Sequence, residues 1–80
     1  MWHKRAKKQL AKIPEKPRVK IFNATGELVN FPDCTNIKRL NNHNYDYRLR
    51  ISNYRVLFDF DGKIKIIAIQ EVKKRDEHTY

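Results

Sequence analysis

Arginines alternate with apolar residues through the middle of the chain, and their chemistry is the most specific signal in the sequence. Residues 47–60 read YRLRISNYRVLFDF, with Arg48 and Arg50 before Ser52-Asn53 and Arg55 after it. A guanidinium is a planar fork of donors suited to phosphate, and it stays protonated, so it stabilises charge but does not act as a base. The pattern predicts a site for an anionic ligand; the alternative is a solvated outer face of a sheet.

The same stretch predicts a β-hairpin. Apolar and polar residues alternate on both sides of Ser52-Asn53, as in strands whose successive side chains point to opposite faces. Asn tolerates the positive φ of a two-residue turn, and such a loop places Arg50 opposite Arg55 and Leu49 opposite Val56. Like charges in a cross-strand pair cost about 0.2–1 kcal/mol. Folding alone therefore does not explain the facing arginines, which we interpret as exposed groups that bind an anion.

Two amphipathic helices are predicted before the hairpin. The first covers residues 3–13, with Ala6, Leu10 and Ile13 on one side, and it ends at Pro14 because proline lacks the amide hydrogen that a helix interior needs. The second covers residues 17–29. Val19, Phe22 and Val29 share its predicted inward side, with Ile21 and Leu28 flanking it.

The strands around the hairpin are less strongly marked. A polar connection over residues 30–44 contains a short strand or turn at residues 37–40. Asp61-Gly62 predicts a two-residue turn, and residues 63–72 then form a third strand. Pairing Phe60 with Lys63 would place Arg55 beside Ala68 on the basic face and Leu57 beside Ile66.

Positive charge is concentrated at the start of the chain. The formal net charge is +9, and residues 1–20 hold eight Lys or Arg and one Glu. A basic domain of this kind should bind nucleic acid or an acidic protein. A membrane surface would satisfy the charge equally well.

Length and cysteine content exclude several classes of protein. Eighty residues allow one domain, and the single Cys34 cannot form an internal disulfide. No zinc-ligand spacing is present, so neither a metal nor a cofactor is predicted. The longest apolar run, residues 66–69, is too short to span a membrane, and the basic N-terminus lacks a signal-peptide core. We therefore expect a cytoplasmic protein without membrane association.

The order of these parts resembles the RelE/ParE superfamily of toxins from bacterial type II toxin–antitoxin systems. Two helices, YRLR, NYRVLF, an Ile-rich strand and KKRDEHTY follow one another over essentially the whole chain, and the most specific part is NIKRLNNHNYDYRLRISNYRVLFDF. The resemblance implies an α+β fold in which two N-terminal helices pack on one face of a small antiparallel β-sheet, with residues 1–80 as a single RelE-like toxin domain. Relatives usually begin with a β-strand, whereas only Met1-Trp2 precede the first helix here.

The RelE-like branch of this superfamily implies a ribosome-dependent endoribonuclease. Such toxins cut mRNA without a metal by attack of a 2′-hydroxyl on the adjacent phosphate, inhibit translation and are neutralised by a cognate antitoxin. The implied partners are the antitoxin, the ribosome and mRNA, with the toxin–antitoxin complex forming a higher hetero-oligomer. Two alternatives remain at this point: a ParE-like inhibitor of DNA gyrase, and a non-catalytic basic module that binds nucleic acid.

The resemblance also assigns residues. The active surface of RelE-like toxins carries basic side chains before and after the hairpin turn, an Arg after the last strand, and a His or Tyr near the C-terminus. The implied catalytic residues are Arg48, Arg50, Arg55, Arg75, His78 and Tyr80, with either His78 or Tyr80 handling the proton. The basic residues Lys38, Arg39, Lys73 and Lys74 are predicted to bind RNA.

Overall fold

Two helices precede four strands in a computed structural model of the chain, which describes residues 1–75. The helices are α1 (Lys4–Ala11) and α2 (Glu15–Gly26), and one 3₁₀ turn (Glu27–Asn30) continues α2. The strands are β1 (Ile37–Arg39), β2 (Tyr47–Ile51), β3 (Tyr54–Asp61) and β4 (Ile66–Lys74). They form one antiparallel sheet in the order β1-β2-β3-β4. The predicted α+β class is confirmed, and β1 corresponds to the short strand expected at residues 37–40.

Proline sets the boundary between the helices. Pro14 is the N-cap residue of α2, so the second helix starts at Glu15, two residues earlier than predicted. Pro17 lies in the first turn of α2, where backbone amides have no intrahelical partner and a missing N–H costs no bond. Ala6 on α1 is fully buried, and Ile13, two residues after the end of this helix, is buried as well.

The predicted centre of the inward face of α2 is wrong, because the core lies on the side of the flanking residues Ile21 and Leu28. Ile21, Thr25 and Leu28 are buried, whereas Phe22 and Val19 are 61% and 49% exposed. The buried residues and the predicted ones are both spaced at helical intervals. Periodicity alone therefore does not decide which side of α2 faces the core. Thr25 is suited to burial because its hydroxyl donates to the carbonyl of Phe22 at 2.8 Å. Val29, in the 3₁₀ turn, is also exposed.

The β2–β3 hairpin has the predicted register. Arg50 lies opposite Arg55, and Leu49 lies opposite Val56. Ser52 takes the positive φ, 53°, at the turn. Strict alternation and a two-residue loop leave only one pairing that keeps the apolar residues on one face, since a slip of one residue reverses every side chain.

The predicted β3–β4 register is wrong. Four residues rather than two connect Asp61 to Ile66, and the Asp61 carboxylate stabilises this loop by accepting the N–H groups of Lys63 and Ile64. A β-bulge follows, in which Leu57 pairs with Glu71 and Phe58 with Ile69, leaving one extra residue on β4. In consequence Arg55 faces Lys73 rather than Ala68, Leu57 faces Glu71 rather than Ile66, and Phe60 faces Ile67 rather than Lys63.

The first residues of the chain lie along the free edge of β4. Trp2 forms an isolated parallel bridge with Ile69, whose N–H donates to the Met1 carbonyl at 2.7 Å and whose carbonyl accepts from the His3 N–H at 2.9 Å. The short segment before α1 therefore makes strand-like contacts with the sheet.

The main core lies between the helices and one face of the sheet. Ala6 and Ile21 pack with sheet residues including Leu49, Val56 and Phe58. We call this side the helix face and the opposite side the open face. Leu57 is also fully buried but lies outside this cluster, consistent with its position on the open face.

Candidate functional site

Cationic side chains cross the open face of the sheet in two neighbouring rows. Successive residues of a strand point to opposite faces, so the positions next to Leu49, Val56 and Val72 lie on the open face. One row contains Arg50, Arg55 and Lys73, and the next contains Lys38, Arg48, Leu57 and Glu71. Directly opposed side chains have Cβ atoms about 4.5–5.5 Å apart. The register therefore gathers charges from four strands into one surface.

Arg55 is the fixed member of this group. Its position in the alternating pattern predicts an exposed side chain, but it is only 7% exposed. Its Nη1 donates to the backbone carbonyls of Ser52 at 3.2 Å and Tyr54 at 2.9 Å. The guanidinium is thus held against the β2–β3 turn through Nη1. Loss of this side chain should affect the hairpin as well as any bound ligand.

Arg75 reaches the same turn from the end of β4. Its backbone N–H donates to the carbonyl of Asn53. We call Arg48, Arg50, Arg55 and Arg75 the arginine cluster. Burial lowers the pKa of the Arg55 guanidinium, and the neighbouring charges of Arg48, Arg75 and Arg50 lower it further. The cations around Arg55 therefore form a surface suited to receive negative charge.

Within residues 1–75, no carboxylate forms an ion pair with any member of the arginine cluster. The two ion pairs of this part of the chain both end on Glu71, which lies 3.9 Å from Arg5 and 3.9 Å from Lys73. Arg48 is half-buried, whereas Arg50 and Arg75 are exposed. An anion arriving from solvent therefore meets guanidinium groups that no described acid neutralises.

The structure brings together only part of the predicted site. Four of the six predicted catalytic residues form the arginine cluster, while His78 and Tyr80 lie outside the described residues. Among the predicted RNA-binding residues, Lys38 faces Arg48 and Lys73 faces Arg55, both on the open face. By strand alternation, Arg39 and Lys74 belong to the opposite side.

Arg39 is occupied by an aromatic contact on that side. Its guanidinium carbon lies 5.7 Å from the ring centroid of Tyr47, and its Nη1 donates to the Tyr47 hydroxyl at 3.5 Å. This cation–π contact joins the edge strand β1 to β2. The predicted RNA-binding set is therefore divided between the two faces of the sheet.

Sequence reasoning missed Tyr45 and Glu71. Nη1 of Arg5 donates to the Tyr45 hydroxyl at 3.1 Å, and Nε2 of Gln9 donates to Oε1 of Glu71 at 3.3 Å. Glu71 reaches the open face because of the β4 bulge, which no local signal in the sequence marks. Tyr45 could have been noted as an aromatic residue in a polar, basic stretch, but its partners come from α1 and β4.

The described residues offer neither a metal site nor a membrane-spanning helix. Residues 1–75 contain no group of three or more His, Cys, Asp or Glu side chains placed to hold a metal ion. Neither helix of this region has the length and apolar character needed to cross a bilayer.

Comparison with known proteins places the chain in a family. The model of the ParE toxin of type II toxin–antitoxin systems, parDE, matches residues 1–79. No curated protein sequence matches the chain significantly.

Solved structures of toxin–antitoxin complexes share the fold. The archaeal RelE–RelB complex from Pyrococcus horikoshii OT3 is 26% identical, with a TM-score of 0.78 over 95% of this chain and 92% of that one. The RelBE2 complex from Mycobacterium tuberculosis is 23% identical, with a TM-score of 0.78 over 94% of both chains. The RelB–RelE complex from Methanococcus jannaschii is 24% identical, with a TM-score of 0.75 over 94% of this chain and 89% of that one. The chain belongs to the ParE toxin family of type II toxin–antitoxin systems, within the RelE/ParE superfamily.

Proposed function

We propose that this toxin is a ribosome-dependent endoribonuclease that cuts mRNA and is neutralised by a cognate antitoxin. The observation that carries the proposal is the arginine cluster, in which Arg55 is fixed against a turn and no carboxylate of residues 1–75 pairs with the four guanidinium groups. Guanidinium groups bind phosphate oxygens in a bidentate manner. A preorganised group of this kind suits a reaction in which negative charge grows on phosphorus.

The proposed reaction is an internal transfer at one phosphodiester of RNA. The ribose 2′-hydroxyl loses its proton to a base and attacks the adjacent phosphorus, and the bond to the 5′-oxygen of the next nucleotide breaks. The products are a 2′,3′-cyclic phosphate and a 5′-hydroxyl that takes a proton from an acid. Arg50 and Arg55 would stabilise the charge on the phosphorane, with Arg48 and Arg75 positioning the flanking phosphates. Arginine stays protonated, so the proton must be transferred by another group.

His78 and Tyr80 are the proposed groups for proton transfer. An unperturbed imidazole titrates near pH 6.5, roughly where a general base works best, whereas an unperturbed phenol titrates near pH 10. The pH dependence of cleavage separates them. An inflection between about pH 6 and 7 that is lost in His78→Ala assigns the histidine, and retention of the inflection assigns Tyr80 or another group.

An antitoxin is the proposed occupant of an exposed groove on the helix side. Trp2, Leu10, Ala11 and Phe22 line this groove, and Lys7 and Arg18 contribute its basic part. The three similar structures are complexes with antitoxins. An amphipathic segment with acidic residues would cover Phe22 and complement the net charge of +9. A standard interface buries roughly 1,200–2,000 Å² in total.

Inhibition of DNA gyrase is the second candidate function, and the ParE name of the matching family model favours it. A gyrase inhibitor would act by binding, without need for a charge-stabilising site. The unpaired arginine cluster on the open face favours phosphate chemistry instead.

Translating ribosomes provide the test of both candidates. The purified toxin is added to a translation reaction, RNA ends are mapped, and gyrase supercoiling is measured in parallel. We expect cleavage with 2′,3′-cyclic phosphate ends, and Arg50→Ala should reduce its rate about 10²–10³-fold. Lys63→Ala, which removes an exposed cation from the β3–β4 loop, is the matched control. Normal cleavage by Arg50→Ala would remove the arginine cluster from the active site, and inhibited supercoiling without cleavage would favour the gyrase function.

A further inference from the structure

The β1–β2 loop, residues 40–46, reaches across the open face toward β4. Its ends are closed by the Leu40 N–H, which donates to the Asp46 carbonyl at 2.8 Å. The Asp46 N–H donates to Oδ1 of Asp59 on β3 at 2.8 Å. Tyr45 reaches still further, because its hydroxyl accepts from Arg5, which pairs with Glu71 on β4. Leu57 pairs with Arg48 on one side and Glu71 on the other, and it is fully buried on the open face.

Tyr45 is held by a network of polar groups rather than by apolar packing alone. Arg5 donates to its hydroxyl at 3.1 Å, and the same guanidinium lies 3.9 Å from Glu71. Glu71 is itself positioned by Gln9, whose Oε1 also accepts from the Val72 N–H at 2.7 Å. Burial raises the pKa of the Tyr45 phenol, and the nearby carboxylate of Glu71 raises it further, so the phenol stays neutral.

His43 lies beside Tyr45 on the same loop. The Tyr45 N–H donates to Nδ1 of His43 at 3.1 Å, and the two ring centroids are 5.7 Å apart at an angle of 47°. His43 is exposed and Tyr45 is half-buried. The loop therefore presents two adjacent aromatic rings whose orientation is fixed by hydrogen bonds.

This aromatic pair borders the arginine cluster. Arg5 donates to the Tyr45 hydroxyl and pairs with Glu71. Glu71 lies 3.9 Å from Lys73, which is directly opposite Arg55. Rows on one face of a sheet are about 7 Å apart, since a strand rises 3.2–3.4 Å per residue. A phosphate on Arg50 and Arg55 thus lies about one row away from Glu71, which Arg5 links to the Tyr45 hydroxyl. Aromatic rings beside a basic groove are the combination that binds unpaired nucleic-acid bases.

We propose that Tyr45 and His43 form a nucleobase-stacking subsite, in which an unpaired base of single-stranded RNA stacks on the rings while the arginine cluster binds its phosphate. This inference rests on the proposed RNA substrate. The stacking supplies affinity that is tolerant of sequence, because every base has a π-face. It also orients the ribose next to the phosphate that the arginines hold, and so selects unpaired over duplex RNA.

Binding to a base-free analogue tests the subsite separately from cleavage. Fluorescence anisotropy is measured at low salt with labelled octauridylate and with an abasic oligonucleotide of the same length and charge. Tyr45→Leu should weaken binding of octauridylate about 5- to 100-fold and leave binding of the abasic strand unchanged. Tyr45→Phe keeps the ring but loses the bond from Arg5, so it should bind both strands like the wild type. His43→Ala should give a smaller loss confined to octauridylate.

Control variants separate stacking from charge and from misfolding. Arg50→Ala should weaken binding of both strands equally, and Val29→Ala, which changes an exposed apolar residue of the 3₁₀ turn, should weaken binding of neither. If Tyr45→Leu lost affinity for both strands equally, while its Tm matched that of Tyr45→Phe, the proposed subsite would be overturned. Wild-type binding that does not distinguish the two strands would also overturn it. A toxin that shows base-dependent binding but no ribosomal cleavage would overturn the proposed function and leave the subsite standing.

Discussion

At the scale of single residues, the arginine cluster destabilises the fold while it provides a charged surface. Arg50 faces Arg55 directly, and the pKa of Arg55 is lowered by burial and by its neighbours. A basic group whose pKa falls on folding disfavours the folded state wherever it is protonated. The resulting loss of stability is complete at neutral pH, and it is relieved only as the pH rises through the folded-state pKa of Arg55. Stability measured near neutral pH therefore includes the whole loss.

Arg50→Gln should therefore raise the free energy of unfolding. We expect a gain of about 0.2–1 kcal/mol in low-salt urea titrations, because the substitution removes a like-charge cross-strand pair. The gain should shrink at high salt, where exposed charges are screened. Lys63→Gln removes the same charge from a loop and is the control. Equal effects of the two substitutions would show that the cluster carries no specific repulsion.

At the scale of elements, the sequence predicts the register of strands joined by a short turn. It does not predict the pairing of a strand that contains a bulge. The register of β2 and β3 follows from alternation across a two-residue turn, and it is confirmed. The position of β4 depends on a four-residue loop and a bulge, neither of which alternation marks. The face of α2 was misassigned because Thr25 is buried with its hydroxyl bonded to the backbone. Burial of Arg55 likewise depends on turn carbonyls that only the folded hairpin brings near.

The bulge leads to a prediction about deletions in β4. Gln70 is the extra residue between the Leu57–Glu71 and Phe58–Ile69 pairs, so its removal restores regular alternation and leaves both pairs intact. We expect the chain lacking Gln70 to fold, losing mainly the bond from Gln70 to Asp59. Thermal unfolding followed by circular dichroism checks this.

Deletion of Val72 is the matched control for that experiment. It shifts Lys73 into a core position, and burying an unpaired charge costs several kcal/mol, comparable to the whole stability of a small domain. We expect no cooperative transition. Similar behaviour of the two deletions would show that the strand tolerates either register, contrary to the bulge described for β4.

At the scale of the whole molecule, the two proposed functions occupy opposite sides of the sheet. The arginine cluster and the β1–β2 loop are on the open face, whereas the groove containing Phe22 is on the helix side. This arrangement predicts that toxicity and neutralisation can be separated by mutation. An exposed apolar residue contributes little to the core, so changing it should alter partner binding with little effect on the fold.

Phe22→Glu is expected to keep the toxin active and to weaken its antitoxin. The side chain is 61% exposed, and a carboxylate in this groove would face an acidic or apolar partner segment without a pairing cation from that partner. Growth arrest on expression should match the wild type, while rescue by the co-expressed antitoxin should be reduced and the measured Kd raised at least 10-fold. Asn23→Glu adds the same charge at the next exposed position of α2 and is the control. Full rescue of Phe22→Glu by the antitoxin would exclude the groove as the antitoxin site and leave the arginine cluster as the surface that neutralisation must cover.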